Sequence, residues 1–178
     1  MPLINTIEPE NAQGAVAEIY QEINEMFGFV PNAIKLDSIN PEHMSRHWNA
    51  IKESVQHPSL SQKLFTIIRL MISEAQHCEY CIGLNAGMLI QMHGVSQEQI
   101  AEIGRDPAQA PLDEKEKALL LFVVKTVNDS NGTTAAEIED LKAKGCSERE
   151  IFDTLAHGAQ QAAGDIMLNA FKVEADMH

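Results

Sequence analysis

The amino-acid sequence predicts an all-α protein, and three observations predict it. Apolar residues recur at three- and four-residue intervals in segment after segment, polar capping pairs stand at the head of several of these segments, and no stretch alternates strictly as a half-buried strand does. Composition agrees. Hydrophobic residues make up 44% of the 178, yet aromatics only 5%. Leu, Ile, Val, Met and Ala therefore carry the apolar content, which suits helices packed on helices better than a β-sandwich. A chain of this length suits one domain: 1–178 reads as a single unit, with N-terminal helices over 1–58 and core helices over 61–173.

Each element has its own justification. Residues 11–27 place Ala12, Val16, Ile19, Ile23 and Phe27 on one face, and Gly28 supplies the stop. After Pro31, the segment 41–56 repeats the pattern with Met44, Trp48, Ile51 and Val55, and Pro58 follows. Residues 61–73 carry Leu64, Ile67, Ile68, Met71 and Ile72, and 78–93 carry Ile82, Ala86 and Leu89 before Gly94. Ser96 with Gln99, Asp113 with Glu116, Thr134 with Glu137 and Ser147 with Glu150 fit capping boxes. They predict helices over 97–103, 114–128, 135–144 and 148–173, with 106–111 as a loop. A short internal echo joins His93-Gly94-Val95-Ser96 to Lys144-Gly145-Cys146-Ser147. Each reads as a helix end, a Gly stop and a Ser cap, preceded upstream by an apolar helix, and so suggests a duplicated helical unit.

Charge and targeting narrow the function. The formal net charge of -13 argues against nucleic acid and against an anionic membrane surface, both of which need clustered Lys and Arg. The segment Met1-Pro2-Leu3-Ile4-Asn5 has neither a basic stretch nor an apolar run of signal length. The longest apolar run, 118–124, is far short of a membrane span. Three cysteines are too few for a secreted disulfide scaffold, so the expectation is a reducing cytoplasm.

Against that background Glu74-Ala75-Gln76-His77-Cys78-Glu79-Tyr80-Cys81 is the most informative stretch. Two helical patterns meet near 76–78 with no Gly or Pro between them, and an unbroken helix over 61–93 would be unusually long. A bend just before Cys78 is therefore expected, with the Cys78 sulfur exposed at a helix start and Cys81 one turn deeper. A helix N-terminus favours a thiolate, so the C-x-x-C pair reads as a cycling dithiol rather than two small core residues. Two clustered cysteines do not make the four-ligand set of a structural zinc site, and no metal is expected.

Cys78-Glu79-Tyr80-Cys81, behind an apolar helix and ahead of a helix ending in Gly94-Val95-Ser96, resembles the AhpD-like, carboxymuconolactone decarboxylase superfamily in its alkylhydroperoxidase branch. The likeness is best over 61–103 and looser through 113–128 and the C-terminal helices. It implies an AhpD-like helical bundle. It also implies an antioxidant thiol oxidoreductase that acts on a hydroperoxide, takes electrons from a lipoyl- or thioredoxin-type protein, needs no separate cofactor and assembles as a trimer or hexamer. In that branch a Glu about twelve residues before the first Cys and a His four after the second form a proton relay that activates the second Cys. Here those positions hold Thr66 and Asn85, neither of which is a base near neutral pH. The resemblance makes Cys81 the attacking thiol, whereas helix-terminus electrostatics favour Cys78.

Candidate substitutes for the relay lie four residues before each cysteine. Glu74 reads as a base for Cys78 or as a solvated helical carboxylate, and His77 as a base for Cys81 or as an exposed polar residue. Tyr80 reads as a packing residue able to orient substrate, and Asn85 as a hydrogen-bond donor to water or thiolate. His43 and His47 are spaced i, i+4 but lack the Glu of H-E-x-x-H and read as a polar face. Cys146 and His157 read as packing residues, and Met88, Met92 and Met167 as core fillers. Two other classes compete: a decarboxylase-type lyase on a small cyclic acid, which needs no cysteine pair, and a non-enzymatic redox-sensing oligomeric module. The Ala- and Gly-rich stretch 156–170 would admit close helix contact between subunits.

Overall fold

In the computed structural model, which describes residues 2–176, the chain runs through nine α-helices and no strand among the described residues. They are α1 (Gly14–Phe27), α2 (Asn32–Asp37), α3 (Pro41–Val55), α4 (Gln62–Ala75), α5 (Glu79–His93), α6 (Gln97–Arg105), α7 (Glu114–Asn128), α8 (Ala135–Ala143) and α9 (Glu148–Phe171). Short 3-10 turns occupy Pro9–Asn11, Pro107–Gln109 and Ser130–Gly132. Every helix expected from periodicity is present. The unforeseen one is α2, whose six residues are too few for periodicity to reveal. No helix is long and apolar enough to cross a membrane.

The chain divides into two compact units, one formed by residues up to 56 with those from 167, the other by 57–166. In the first, Val16, Ile19, Tyr20 and Ile23 of α1 pack with Ile34, Met44 and Trp48. The Trp48 indole donates to Glu22 Oε2 at 2.6 Å, and Tyr20 donates to the Ile7 carbonyl at 2.8 Å. Their polar tips are satisfied while their rings are buried.

The second unit is organised around α4. Leu64, Phe65, Thr66, Ile67, Ile68, Leu70, Met71, Ile72 and Ser73 are all buried, as befits a helix surrounded by others. It packs on α5 and α7, where Leu119, Leu120 and Val123 are buried. Each such aliphatic side chain contributes about 1.5–3 kcal/mol of burial free energy. α9 comes in closely at Gly158, where a Cβ would sit 2.5 Å from Val123 Cγ1 and 3.6 Å from Ile68 Cγ2.

The caps behave as their residue types require. Ser96 with Gln99 and Thr134 with Glu137 form complete capping boxes. Asp113 caps α7 through the Glu116 N–H at 2.8 Å, but the Glu116 carboxylate leaves the box to accept from Ser61 N–H and Oγ at 2.6 and 2.8 Å. The echo between 93–96 and 144–147 is real as turn geometry, with Gly94 at φ 64° and Gly145 at φ 86°. Cys146 is buried, as expected. Met92 and Met167, read from sequence as core fillers, are exposed, because they fall on helix faces turned away from the packed side.

Glu150 shows how far a cap can be elaborated. It accepts from Ser147 N–H at 2.8 Å, Ser59 Oγ at 2.6 Å and Lys115 Nζ at 2.6 Å. Burial opposes its charge, yet Lys115, Ser59 and Ser147 hold its carboxyl at about 2, below the ordinary 4.5. A lowered folded-state pKa stabilises above the unfolded value, and that contribution is lost as pH falls toward the folded one. Glu150→Gln should therefore cost about 2 kcal/mol at pH 7 and flatten the stability–pH curve between about pH 5 and pH 2, measured by urea unfolding.

Candidate functional site: a buried dithiol

The expected bend before Cys78 is a helix-terminating turn built from backbone alone. His77 adopts φ 53°, its N–H donates to Glu74 O at 3.2 Å, and the Cys78 N–H donates to Ser73 O at 3.0 Å. These are the two bonds of a Schellman ending, with His77 in the left-handed position usually given to glycine. The same ending closes α8, where Gly145 N–H bonds to Lys142 O and Cys146 N–H to Leu141 O. The residue after the left-handed position is turned back toward the helix it closes. At the end of α4 that residue is Cys78.

This turn corrects one sequence expectation. The Cys78 sulfur is not exposed at a helix start: Cys78 is 1% exposed and Cys81, one turn into α5, is 4%. Both are free thiols. Their sulfurs and a carboxylate oxygen of Asp165 all lie within 4.8 Å of one another. The Cys81 thiol donates to the Cys78 sulfur, which lowers the Cys78 pKa despite burial. Cys81 is pushed up, first by giving that hydrogen bond, then by burial and by Asp165. Cys78 is thus the more acidic sulfur of the pair, and Cys81 the one that holds its proton more tightly.

Asp165, from α9, is fully buried. Its Oδ1 accepts from Gln161 Nε2 at 2.8 Å and from Ser73 Oγ at 3.1 Å, whereas its Oδ2 has no hydrogen-bond partner among the described residues. Burial raises its pKa, and the nearby Cys81 thiol, the hydrogen bonds from Gln161 and Ser73, and the nearby Cys78 thiol pull it back. Sequence reasoning missed this residue. The signal was an acid on the inward stripe of α9, in register with buried Ile151, Thr154, Gly158 and Leu168.

The two positions where the relay residues are replaced come together. Arg69, also on α4, donates from Nε to Asn85 Oδ1 at 2.8 Å and from a terminal nitrogen to Thr66 Oγ1 at 3.0 Å. The same nitrogen lies 4.0 Å from Met88 Sδ, and the other terminal nitrogen lies 3.3 Å from His157 Nε2. Asn85 in turn donates to the Cys81 carbonyl at 2.8 Å. Desolvation lowers Arg69 to about 10, with Cys81 acting in the opposite sense. His157 also meets the Phe65 ring edge-on at 4.9 Å, a packing role as expected.

The proposed relay substitutes lie around the bend in different settings. Glu74 is half-buried, its pKa raised by desolvation, and its Oε2 would stand 3.2 Å from a Cβ at Gly104. His77 is exposed. The largest influences on the two thiols are the partner thiol, burial and Asp165. Tyr80 is buried in α5.

Among the described residues, two sets of three donors are close enough to share a cation. Cys78, Cys81 and Asp165 form one, a donor short of the usual structural zinc set. In the first unit, Asp37 joins His43 and His47, with His47 Nδ1 at 2.6 Å and His43 Nε2 at 3.5 Å from its oxygens. The polar face read at His43 and His47 is thus organised by one carboxylate.

Fold and site together define an AhpD-like all-α protein carrying a buried dithiol on its central helix pair. Residues 41–110 match the model of the Carboxymuconolactone decarboxylase family. The chain is similar to the alkylhydroperoxidase AhpD core structure of an uncharacterized peroxidase-related protein from Ralstonia eutropha JMP134. That match has 18% identity, a TM-score of 0.84, and covers 98% of this chain and 92% of that one. A peroxidase-related protein from Silicibacter sp. TM1040 matches at 21% identity and TM-score 0.79, over 98% and 89%. The debrominase Bmp8, as a cysteine-to-alanine variant in complex with 2,3,4-tribromopyrrole, matches at 18% and 0.74, over 99% and 94%. A search of curated protein sequences gives no match.

The left-handed residue that aims Cys78 inward carries strain that glycine would not. His77→Gly should keep the turn and raise stability by about 1 kcal/mol, a Tm increase of about 2–4 °C by calorimetry.

Proposed function

We propose that the protein is a thiol-dependent oxidoreductase whose Cys78–Cys81 pair cycles between dithiol and disulfide, reducing an organic hydroperoxide and regenerated by an external dithiol. The observation that supports this most is the pair itself: two free sulfurs in mutual hydrogen-bond contact, with the acidity of one lowered at the expense of the other. Cys78 attacks the terminal peroxide oxygen, forming S–O and breaking O–O, and Cys81 then displaces hydroxide from Cys78 to close the disulfide. The assignment of Cys78 as attacking thiol follows from its lowered pKa and reverses the one the resemblance implied. A lipoyl- or thioredoxin-type protein in a reducing compartment supplies the two electrons that reopen the bond.

The test is stoichiometric. Adding one equivalent of an organic hydroperoxide to the reduced protein should yield the alcohol and a mass loss of two hydrogens, reversed by dihydrolipoamide. Cys78→Ser should lower turnover on the order of 100-fold, and Cys81→Ser should stop at a sulfenic acid that dimedone captures. If the doubly substituted protein decarboxylates a cyclic lactone acid at the wild-type rate while the wild type leaves hydroperoxide untouched, the lyase replaces this reading.

The same reading includes a homo-oligomer. Phe152, Ala156, Ala159, Ala163 and Ile166 recur at 4-3-4-3 spacing along α9 and are all exposed, Phe152 at 71% and Ile166 at 59%. That is the seam of a helix meeting another helix closely, with small residues between two large anchors. Ile166→Glu should convert the assembly to monomers in sedimentation velocity at micromolar concentration, and an unaltered sedimentation coefficient counts against this face.

A further inference from the structure

Resting on the dithiol reading above, we infer that Asp165 is the proton acceptor and donor of the Cys78–Cys81 pair, in place of the Glu and His that positions 66 and 85 lack. Three geometric facts point to it. The carboxylate lies wholly inside the protein, its Oδ2 has no hydrogen-bond partner among the described residues, and both reacting sulfurs lie within 4.8 Å of one of its two oxygens. A buried carboxylate oxygen left unpaired costs about 1–3 kcal/mol, and the titratable groups gathered with it among the described residues are the two thiols. The groups facing it are Cys78 and Cys81 from the start of α5, Ser73 from α4 and Gln161 from its own helix. Arg69 reaches the trio only through Cys81.

Ser73 and Gln161 both donate to Oδ1 and so fix the plane of the carboxylate. Oδ2 is left to exchange a proton with sulfur. During oxidation the Cys78 proton passes to Oδ2 as its sulfur attacks the hydroperoxide, and the departing alkoxide takes that proton away as alcohol. The Cys81 proton then passes to Oδ2 as Cys81 attacks Cys78, and the hydroxide displaced from Cys78 leaves with it as water. The pair loses two electrons, the hydroperoxide gains two, and Asp165 ends in the protonation state in which it began. Reduction by a dithiol runs through the same oxygen, which protonates each departing thiolate in turn.

Two signs distinguish this role from a structural one. As a negative neighbour, Asp165 disfavours the thiolates at rest, so Asp165→Asn should move alkylation of the pair to lower pH. Its loss as a proton carrier should slow turnover. In a Cys146→Ser background, iodoacetamide should label Asp165→Asn about tenfold faster than the parent at pH 6, while hydroperoxide turnover falls about 100-fold. An alkylation profile superimposable on the parent's overturns the assignment, whatever happens to turnover. So does turnover within twofold of the parent's. The alkylation arm needs no peroxidase activity, so it still tests Asp165 if the wild type proves unable to reduce hydroperoxide and the functional reading fails.

A measurement on the unsubstituted protein covers the case in which Asp165→Asn does not fold. Oxidation removes the two neighbouring S–H groups that favour the Asp165 carboxylate, so its carboxyl 13C resonance should titrate at higher pH in the disulfide form than in the dithiol form. A midpoint unchanged by oxidation overturns the assignment.

Discussion

Two thiols and a carboxylate share one desolvated space among α4, α5 and α9, and that space accommodates little more than one negative charge. Burial opposes ionisation of all three, Asp165 opposes it in both thiols, and Cys81 favours it in Cys78 by hydrogen bonding. The charge settles where hydrogen bonds support it best. Cys81 gives its proton's hydrogen bond to Cys78, while Ser73 and Gln161 support Asp165. The three therefore titrate as one system rather than as separate sites. A set of groups that must share protons is a poor structural element, because the same volume filled with apolar side chains would be at least as stable. It is a suitable one for moving protons in step with electrons.

The backbone explains how such a set comes to exist. α4 is buried along most of its length, so a residue turned back toward it is carried into the interior. The turn at His77 closes it by two backbone bonds and directs Cys78 back toward Ser73. α9 can then bring Asp165 against the sulfurs because Gly158, two turns earlier on the same inward stripe, lets the helix approach Val123 and Ile68 more closely than any side chain would permit. A left-handed histidine and a glycine without room for a Cβ thus set the distance on which the chemistry depends. Neither touches a sulfur.

Much of this was legible in the amino-acid sequence. The helices over 11–27 and from 41–56 onward follow from apolar spacing, the Ser and Thr caps mark several of their starts, and the break before Cys78 follows from the unusual length an unbroken helix over 61–93 would have. What was not legible has physical reasons. α2 is too short to show a period. The direction of Cys78 depends on the sign of φ at His77, and a histidine does not announce a left-handed turn as glycine does. Glu74 and His77 are neighbours of the cysteines along the chain, and helical spacing alone brought them forward. Asp165 is distant along the chain, and only the packing of α9 brings it near. Its one trace in the sequence was a charged residue in register with Ile151, Thr154, Gly158 and Leu168.

The substitutions at the relay positions then take on a coherent meaning. Thr66 and Asn85 cannot accept a proton, but both can satisfy a guanidinium, and Arg69 bonds to both. His157 and Met88 also lie against the guanidinium. Asn85 passes the constraint on by holding the Cys81 carbonyl. Cys81 therefore lies between a fixed positive charge on one side and Asp165 on the other. While Cys78 is a free thiolate, Cys81 keeps its proton to donate to it. Once Cys78 is bonded to oxygen or to another sulfur, that hydrogen bond loses its reason, and Arg69 favours the Cys81 thiolate that must attack next. In the proposed cycle the same two sulfurs exchange roles within one turnover because their surroundings are unequal. A Glu–His relay supplies a mobile base to one cysteine. This arrangement supplies a fixed cation to one cysteine and a shared carboxylate to both.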